Sequence, residues 1–100
     1  MSDATLERCF TVRGELGLHA RPAGQLVAAA GRFEAKVEVA RDGDDEWVDG
    51  QSILSLLSLA AGQGTVLRVK AAGSDAEAAV AAVGAIIEAE DGAAPPSPER

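Results

Sequence analysis

Apolar and polar residues alternate with a period of two along several short stretches of the chain, a pattern typical of β-strands that bury one face. The first stretch is Leu6–Val12, and two others are centred on Val37 and Val69. The turn Arg41–Asp45 is followed by Glu46–Val48, which we interpret as the short return strand of a hairpin. The pattern therefore predicts a strand at each of these places, with one apolar face.

Between the strands, apolar residues recur every three or four positions, as on the buried face of an amphipathic helix. The first helix is expected to begin close to His19, because Pro22 is tolerated only in a first turn, and to end at Gly31. Ser52 is the predicted N-cap of a short second helix, and the capping box Ser74–Glu77 opens the third. The apolar stripe of the third helix consists of Ala76, Ala79, Val80, Val83, Ile86 and Ile87.

The predicted elements follow the order β-α-β-β-α-β-α. Because each strand has a single apolar face, the sheet needs cover on one side only, and we expect the helices to pack there. The fold class is therefore α+β, an open-faced two-layer sandwich with its other sheet face in water. Residues 1–91 form the predicted domain, and the Pro-rich segment 92–100 is predicted to be a disordered tail.

Composition and charge limit the classes of protein to which the chain can belong. The 100 residues suffice for one domain with a modest core, and a formal net charge of −7 argues against a nucleic-acid binder. No apolar run reaches the roughly 18 residues that suggest a membrane span, and the first residues lack the apolar core of a secretory signal. Cys9 is the only cysteine, so no internal disulfide forms. These features predict a soluble protein of the cytoplasm.

The only histidine lies in the segment GLHARPA, residues 17–23, at the predicted start of the first helix. Backbone N–H groups at a helix start lack partners within the helix, and with the helix dipole they favour an anion. Arg21 adds a guanidinium suited to phosphate oxygens, and imidazole can act as a nucleophile. The combination indicates that His19 accepts a phosphoryl group. The alternative is that His19 is a simple surface or N-cap residue. That alternative does not explain why Arg21 lies in the first helical turn, where the helix dipole disfavours a cation.

Residues 17–23, together with Ser52-Ile53-Leu54 and Gln63-Gly64-Thr65, resemble the HPr family. These are the histidine-containing phosphocarrier proteins of the bacterial phosphotransferase system, with their nitrogen-branch paralogues. The similarity runs from about Leu6 to Glu90. This resemblance, carried by those residues, implies a four-stranded antiparallel sheet with strand order 1-4-2-3 and three helices on one face.

The resemblance also implies a relay. His19 would accept a phosphoryl group on Nδ1 from phosphorylated Enzyme I, itself charged by phosphoenolpyruvate, and pass it to an enzyme II A-domain protein. Arg21 would help to hold the phosphate, together with the backbone N–H groups of Ala20 and Arg21. In many family members the serine matching Ser52 is the target of a regulatory kinase, which adds an HPr serine kinase/phosphorylase as a partner. Neither a cofactor nor a metal is expected, and the chain is expected to be a monomer.

The second helix is too short to bury all of its apolar residues. Ile53, Leu54 and Leu57 must therefore divide between core and surface, and we expect an exposed patch beside His19 that includes Leu54. Such patches mark protein interfaces, and a carrier has to bind two proteins in turn. Burial in the core is an equal alternative for Leu57. Gly24 would let a partner approach the first helix closely, although a merely tolerated glycine is nearly as good an explanation.

Two other functions stay open at this point. The chain could be a regulatory interaction module, controlled by phosphorylation of His19 or Ser52 without moving a sugar. It could also be a hydrolase with His19 as general base, but no accompanying serine, cysteine or aspartate is placed by the sequence. The acidic turn Asp42–Glu46 lacks the spacing of a calcium loop and is interpreted as a solvated turn. Trp47 is assigned to hairpin packing, and Cys9 to an ordinary strand position.

Overall fold

The computed structural model describes residues 5–90, and the predicted tail 92–100 lies outside the described residues. The elements follow the predicted order. They are β1 (Thr5–Thr11), α1 (Ala20–Ala30), β2 (Lys36–Arg41), β3 (Val48–Asp49), α2 (Ile53–Ser58), β4 (Val66–Ala72) and α3 (Ala76–Ile87). None of the helices between residues 5 and 90 is long and apolar enough to cross a bilayer.

The strands form one four-stranded antiparallel sheet in the order β1-β4-β2-β3. β4 pairs with β1 along its whole length, from Ala72 opposite Thr5 to Val66 opposite Thr11. On its other side it pairs with β2, where Val69 lies opposite Val39 and both side chains are buried against the helices. The predicted open-faced sandwich is thereby confirmed, and so is the strand order that the resemblance implied.

The core lies between the sheet and the three helices and consists of aliphatic side chains. Leu26 of α1, Leu56 of α2 and Leu67 of β4 are fully buried. Burial of a large apolar side chain stabilises a fold by about 1.5–3 kcal/mol. On α3, a Cβ at Gly84 would overlap the ring of Phe10, so this glycine lets the helix approach β1 closely. The apolar stripe predicted for α3 is buried at all six positions: Ala76, Ala79, Val80, Val83, Ile86 and Ile87.

The hairpin differs from its prediction at the return strand. β3 begins two residues later than expected, at Val48. Trp47 instead lies over the open face of the sheet, with its ring centroid 4.7 Å from the Arg68 guanidinium carbon and 4.2 Å from Lys70 Nζ. The open face is covered locally, since Ala40, opposite Arg68 in the register, is fully buried there. The Trp47 ring and the two basic side chains cover this part of the sheet, and cation–π attraction holds them together.

The start of α3 also differs from its prediction. Its N-cap is Asp75, whose side chain caps no N–H of its own helix. The carboxylate accepts hydrogen bonds from the backbone N–H groups of Glu34, at 2.9 Å, and Ala35, at 2.8 Å. These bonds, that of Glu34 foremost, hold the pKa of Asp75 below its ordinary value. The predicted capping box Ser74–Glu77 was therefore wrong. The N-cap is Asp75 rather than Ser74, and the Asp75 carboxylate binds the segment before β2 instead of its own helix.

Candidate functional site

The chain reaches the candidate site through a tight turn after β1. The N–H of Gly17 donates to Gly14 O at 3.0 Å, and the N–H of Leu18 donates to Ala61 O at 2.8 Å. Gly17 has a φ of +73°, and a Cβ on it would lie 2.5 Å from Ala61 O. Only glycine fits such a position without rearrangement. The buried side chain of Leu18 then anchors the chain one residue before His19.

His19 is the N-cap residue of α1, as the position of Pro22 predicts. Its backbone is extended, with φ −87° and ψ −168°, and its imidazole makes no capping hydrogen bond. The first bond of the helical ladder runs from Ala23 N to His19 O at 3.0 Å. The N–H groups of Ala20 and Arg21 precede it and so lie at the positive end of the helix dipole. The first turn carries no acidic residue that would offset this charge.

A cleft at the start of α1 brings together residues that are far apart in the sequence. His19, Arg21 and Gln25 line it from α1, and Ile87 and Glu90 line it from the end of α3. We call this the His19 cleft. The side chains of these lining residues include an imidazole, a guanidinium and a carboxylate.

The end of α3 is tied directly to the segment that leads to His19. The N–H of Thr11 donates to Glu88 Oε2 at 3.0 Å, and the N–H of Arg13 donates to Ile87 O at 3.4 Å. Glu90 was not among the site residues predicted from the sequence. No local signal could have identified it, because its position depends on how α3 packs across the sheet.

Ser52 caps α2, as predicted. Its Oγ accepts the N–H of Ser55 at 3.3 Å and donates to Ser55 Oγ at 2.9 Å. At the other end of the helix, Arg41 Nη1 donates to the carbonyls of Leu59, at 3.0 Å, and Ala60, at 3.2 Å. Both ends of this short helix are thus fixed by side chains, which gives its surface residues defined positions.

The apolar residues predicted for partner binding are exposed to different extents. Leu54 is 76% exposed and Ile53 is 39% exposed, whereas Leu57 is half-buried and packs against the core. Gly24 lies where α1 meets α2, since a Cβ there would be 3.8 Å from Ile53 Cδ1. The exposed apolar surface of α2 therefore belongs mainly to Ile53 and Leu54, which we call the α2 patch, and it adjoins α1.

Leu16 is a further exposed residue that sequence analysis overlooked. It occupies the turn between Gly14 and Gly17, and its side chain is 67% exposed. The available signal was an apolar residue within a glycine-bounded turn, where polar residues are more usual.

The family described as the PTS HPr component phosphorylation site matches residues 6–89 of the chain. The phosphocarrier protein HPr of Haloferax volcanii is 42% identical over 78 residues, which cover 78% of this chain and 88% of that protein. The multiphosphoryl transfer protein of Vibrio cholerae is 40% identical over 80% of this chain, which spans only 20% of that longer protein.

A solved structure gives the same result. The crystal structure of a phosphocarrier protein HPr from Bacillus anthracis str. Ames matches with a TM-score of 0.78 and 36% identity, covering 85% of this chain and 99% of that one. Sequence, strand order and helix placement thus agree over nearly the whole described chain. This chain therefore belongs to the HPr family, the phosphocarrier proteins of the phosphotransferase system.

Proposed function

We propose that this chain accepts a phosphoryl group on Nδ1 of His19 from Enzyme I, itself charged by phosphoenolpyruvate, and passes it to a histidine of an enzyme II A-domain protein. The observation that carries the proposal is the position of His19 at the N-terminus of α1, in a cleft shared with Arg21. We place the relay in the cytoplasm, because the only cysteine, Cys9, is free and exposed.

The transfer exchanges one phosphorus–nitrogen bond for another. The lone pair of Nδ1 on neutral His19 attacks the phosphorus of the donor phosphohistidine, and the donor's P–N bond breaks with its electron pair returning to the donor ring. A proton moves the other way, from the His19 ring to the donor ring, so charge and atoms balance. No other covalent bond changes, so the protein's task is to position the groups and stabilise their charge.

The charges around His19 suit an intermediate that must be given away again. A phosphoryl group adds nearly two negative charges. The guanidinium of Arg21 and the N–H groups of Ala20 and Arg21 favour these charges. One arginine and a helix dipole hold the phosphoryl group less tightly than a cage of several arginines would, so the group can still be passed to the acceptor.

The α2 patch supplies the surface on which partners bind. Ile53 and Leu54 are exposed on a helix that packs against α1 near Gly24. An apolar patch with a polar rim is the usual centre of a protein interface. Leu57 supports this surface from below, because it is half-buried against the core.

The test is incubation with phosphoenolpyruvate and a cognate Enzyme I, followed by intact mass measurement. We expect a gain of one phosphoryl group that is labile in acid and stable in base, as for phosphohistidine. His19→Ala should remove the gain and keep the same circular dichroism spectrum. Gln25→Ala, which alters another residue that lines the same cleft, is the matched control and should still be labelled. Acid-labile labelling of His19→Ala would refute the assignment.

A regulatory role for Ser52 is a second candidate. Its hydroxyl is half-buried at the N-terminus of α2, one residue before the α2 patch. A phosphate there would be compatible with the helix dipole but would place negative charge beside the surface on which Enzyme I binds. Phosphorylation by an HPr serine kinase/phosphorylase would therefore slow the transfer to His19.

A further inference from the structure

The exposed large hydrophobic side chains are not scattered over the molecule. Among residues 5–90 they are Leu16, Ile53 and Leu54. Leu16 lies three residues before His19 along the chain, and Ile53 contacts α1 at Gly24. Single exposed leucines are ordinary, but here each lies on a segment that adjoins α1, since Leu16 is on the turn before it and Ile53 and Leu54 are on α2. Leu16 is the member of this group to which no role has been assigned.

The turn that carries Leu16 is held in place on both sides. The Gly17 N–H closes the turn on Gly14 O, and the next residue is bonded to Ala61 O. Before the turn, Gln63 Nε2 donates to Arg13 O at 3.0 Å. These bonds fix the backbone around Leu16. Its side chain is therefore presented to solvent at a defined place, which lowers the entropy cost of binding a partner there.

We propose that Leu16 is a second apolar docking residue for the protein that delivers the phosphoryl group, a role that rests on the function proposed above. The partner would present an apolar recess next to its own phosphohistidine. A phosphoryl donor is the fitting occupant because it must approach His19 to bonding distance and so must cover the residues around it. The exposed Arg13 and Arg21 supply the polar rim that such an interface needs.

A second docking residue changes the geometry of the encounter. With contacts at the α2 patch alone, the donor could still rotate about that patch. A further contact at Leu16 removes this freedom and sets the line along which the phosphorus approaches His19. Apolar contacts near the imidazole also exclude water, which would otherwise compete for the phosphoryl group.

The test compares steady-state phosphorylation of variants by Enzyme I, with this chain as the varied substrate. Leu16→Ser should raise KM about tenfold through loss of the apolar contact. It should also lower kcat, because the donor is no longer held on one line of approach. Leu16→Met, which restores an apolar side chain, should recover the wild-type KM. Glu15→Gln changes the neighbouring position of the same turn and should move KM by no more than about twofold.

The outcomes separate this inference from the function on which it rests. If the wild type is not phosphorylated, the proposed function fails. If the wild type is phosphorylated and Leu16→Ser has the same KM while Leu54→Ser has a raised one, the function stands and the role of Leu16 is refuted. Thermal melting of each variant checks that the fold is kept. Leu16→Gln, which keeps most of the side-chain volume, replaces Leu16→Ser if the serine variant melts early.

Discussion

Arg21 is exposed in the first turn of α1, where the helix dipole favours an anion. A phosphoryl group on His19 would bring negative charge to this turn. A hydrogen bond from the guanidinium to such a charged group is worth about 1.5–3 kcal/mol. The contribution of Arg21 should therefore appear in the phosphorylated state.

Arg21→Ala should therefore keep the fold and slow transfer from Enzyme I by about tenfold or more, the rate equivalent of that contact. Single-turnover phosphorylation followed by mass spectrometry measures it. Arg32→Ala is the matched control, because Arg32 is an exposed arginine just beyond the other end of α1. Equal rates for Arg21→Ala and Arg32→Ala would mean that only overall charge matters.

At the scale of elements, the Ser52 hydroxyl of α2 is both a structural cap and the proposed regulatory site. Ser52→Ala should cost about 0.5–2 kcal/mol of stability through loss of the cap. Ser52→Asp should fold normally, because aspartate is also a good N-cap, yet accept phosphate from Enzyme I more slowly, because its charge adjoins the α2 patch. Urea unfolding and phosphorylation rates measure the two effects.

Ser58 provides the control within the same helix. It is exposed, and its hydroxyl donates to Ser55 O rather than capping the helix start. Ser58→Asp adds the same charge at the other end of α2 and should leave the phosphorylation rate closer to that of the wild type. If Ser52→Asp is phosphorylated as fast as Ser58→Asp, the regulatory role is excluded and only the cap remains.

At the scale of the whole molecule, Asp75 joins α3 to the segment that enters β2. Its pKa lies below the ordinary value of 3.8, chiefly because of the hydrogen bond from the Glu34 N–H. A depressed folded-state pKa adds stability that is fully present above the unfolded pKa and is lost as pH falls through the folded value. Asp75 should therefore stabilise the protein at neutral pH, and this stabilisation should disappear once the pH is below the folded-state pKa of Asp75.

Asp75→Asn should be less stable than the wild type at about pH 7, and the difference should shrink as the pH falls below about 4. The midpoint of urea unfolding at a series of pH values measures this. Glu77→Gln removes an exposed carboxylate from the first turn of the same helix and serves as the control. A stability difference for Asp75→Asn that stays constant down to about pH 2.5 would contradict the linkage.

Local sequence patterns were enough to predict the order of the elements and the place of His19 at the start of α1. Alternation around Val37 and Val69 decided which strand face is buried, and Pro22 set the start of α1 beside the histidine. These outcomes follow from local geometry, because the period of a pattern and the rigid ring of proline act on neighbouring residues.

Only the tertiary structure decided the contacts between distant segments. The Asp75 carboxylate accepts a hydrogen bond from the Glu34 N–H instead of capping its own helix. Trp47 packs over the open face of the sheet instead of extending β3, and Glu90 lines the His19 cleft. Leu16 stays exposed although it is apolar. Each of these depends on where a second element lies in space. Local spacing decides on which face of its helix or strand a residue lies. Which distant group contacts that residue depends on how the elements pack together.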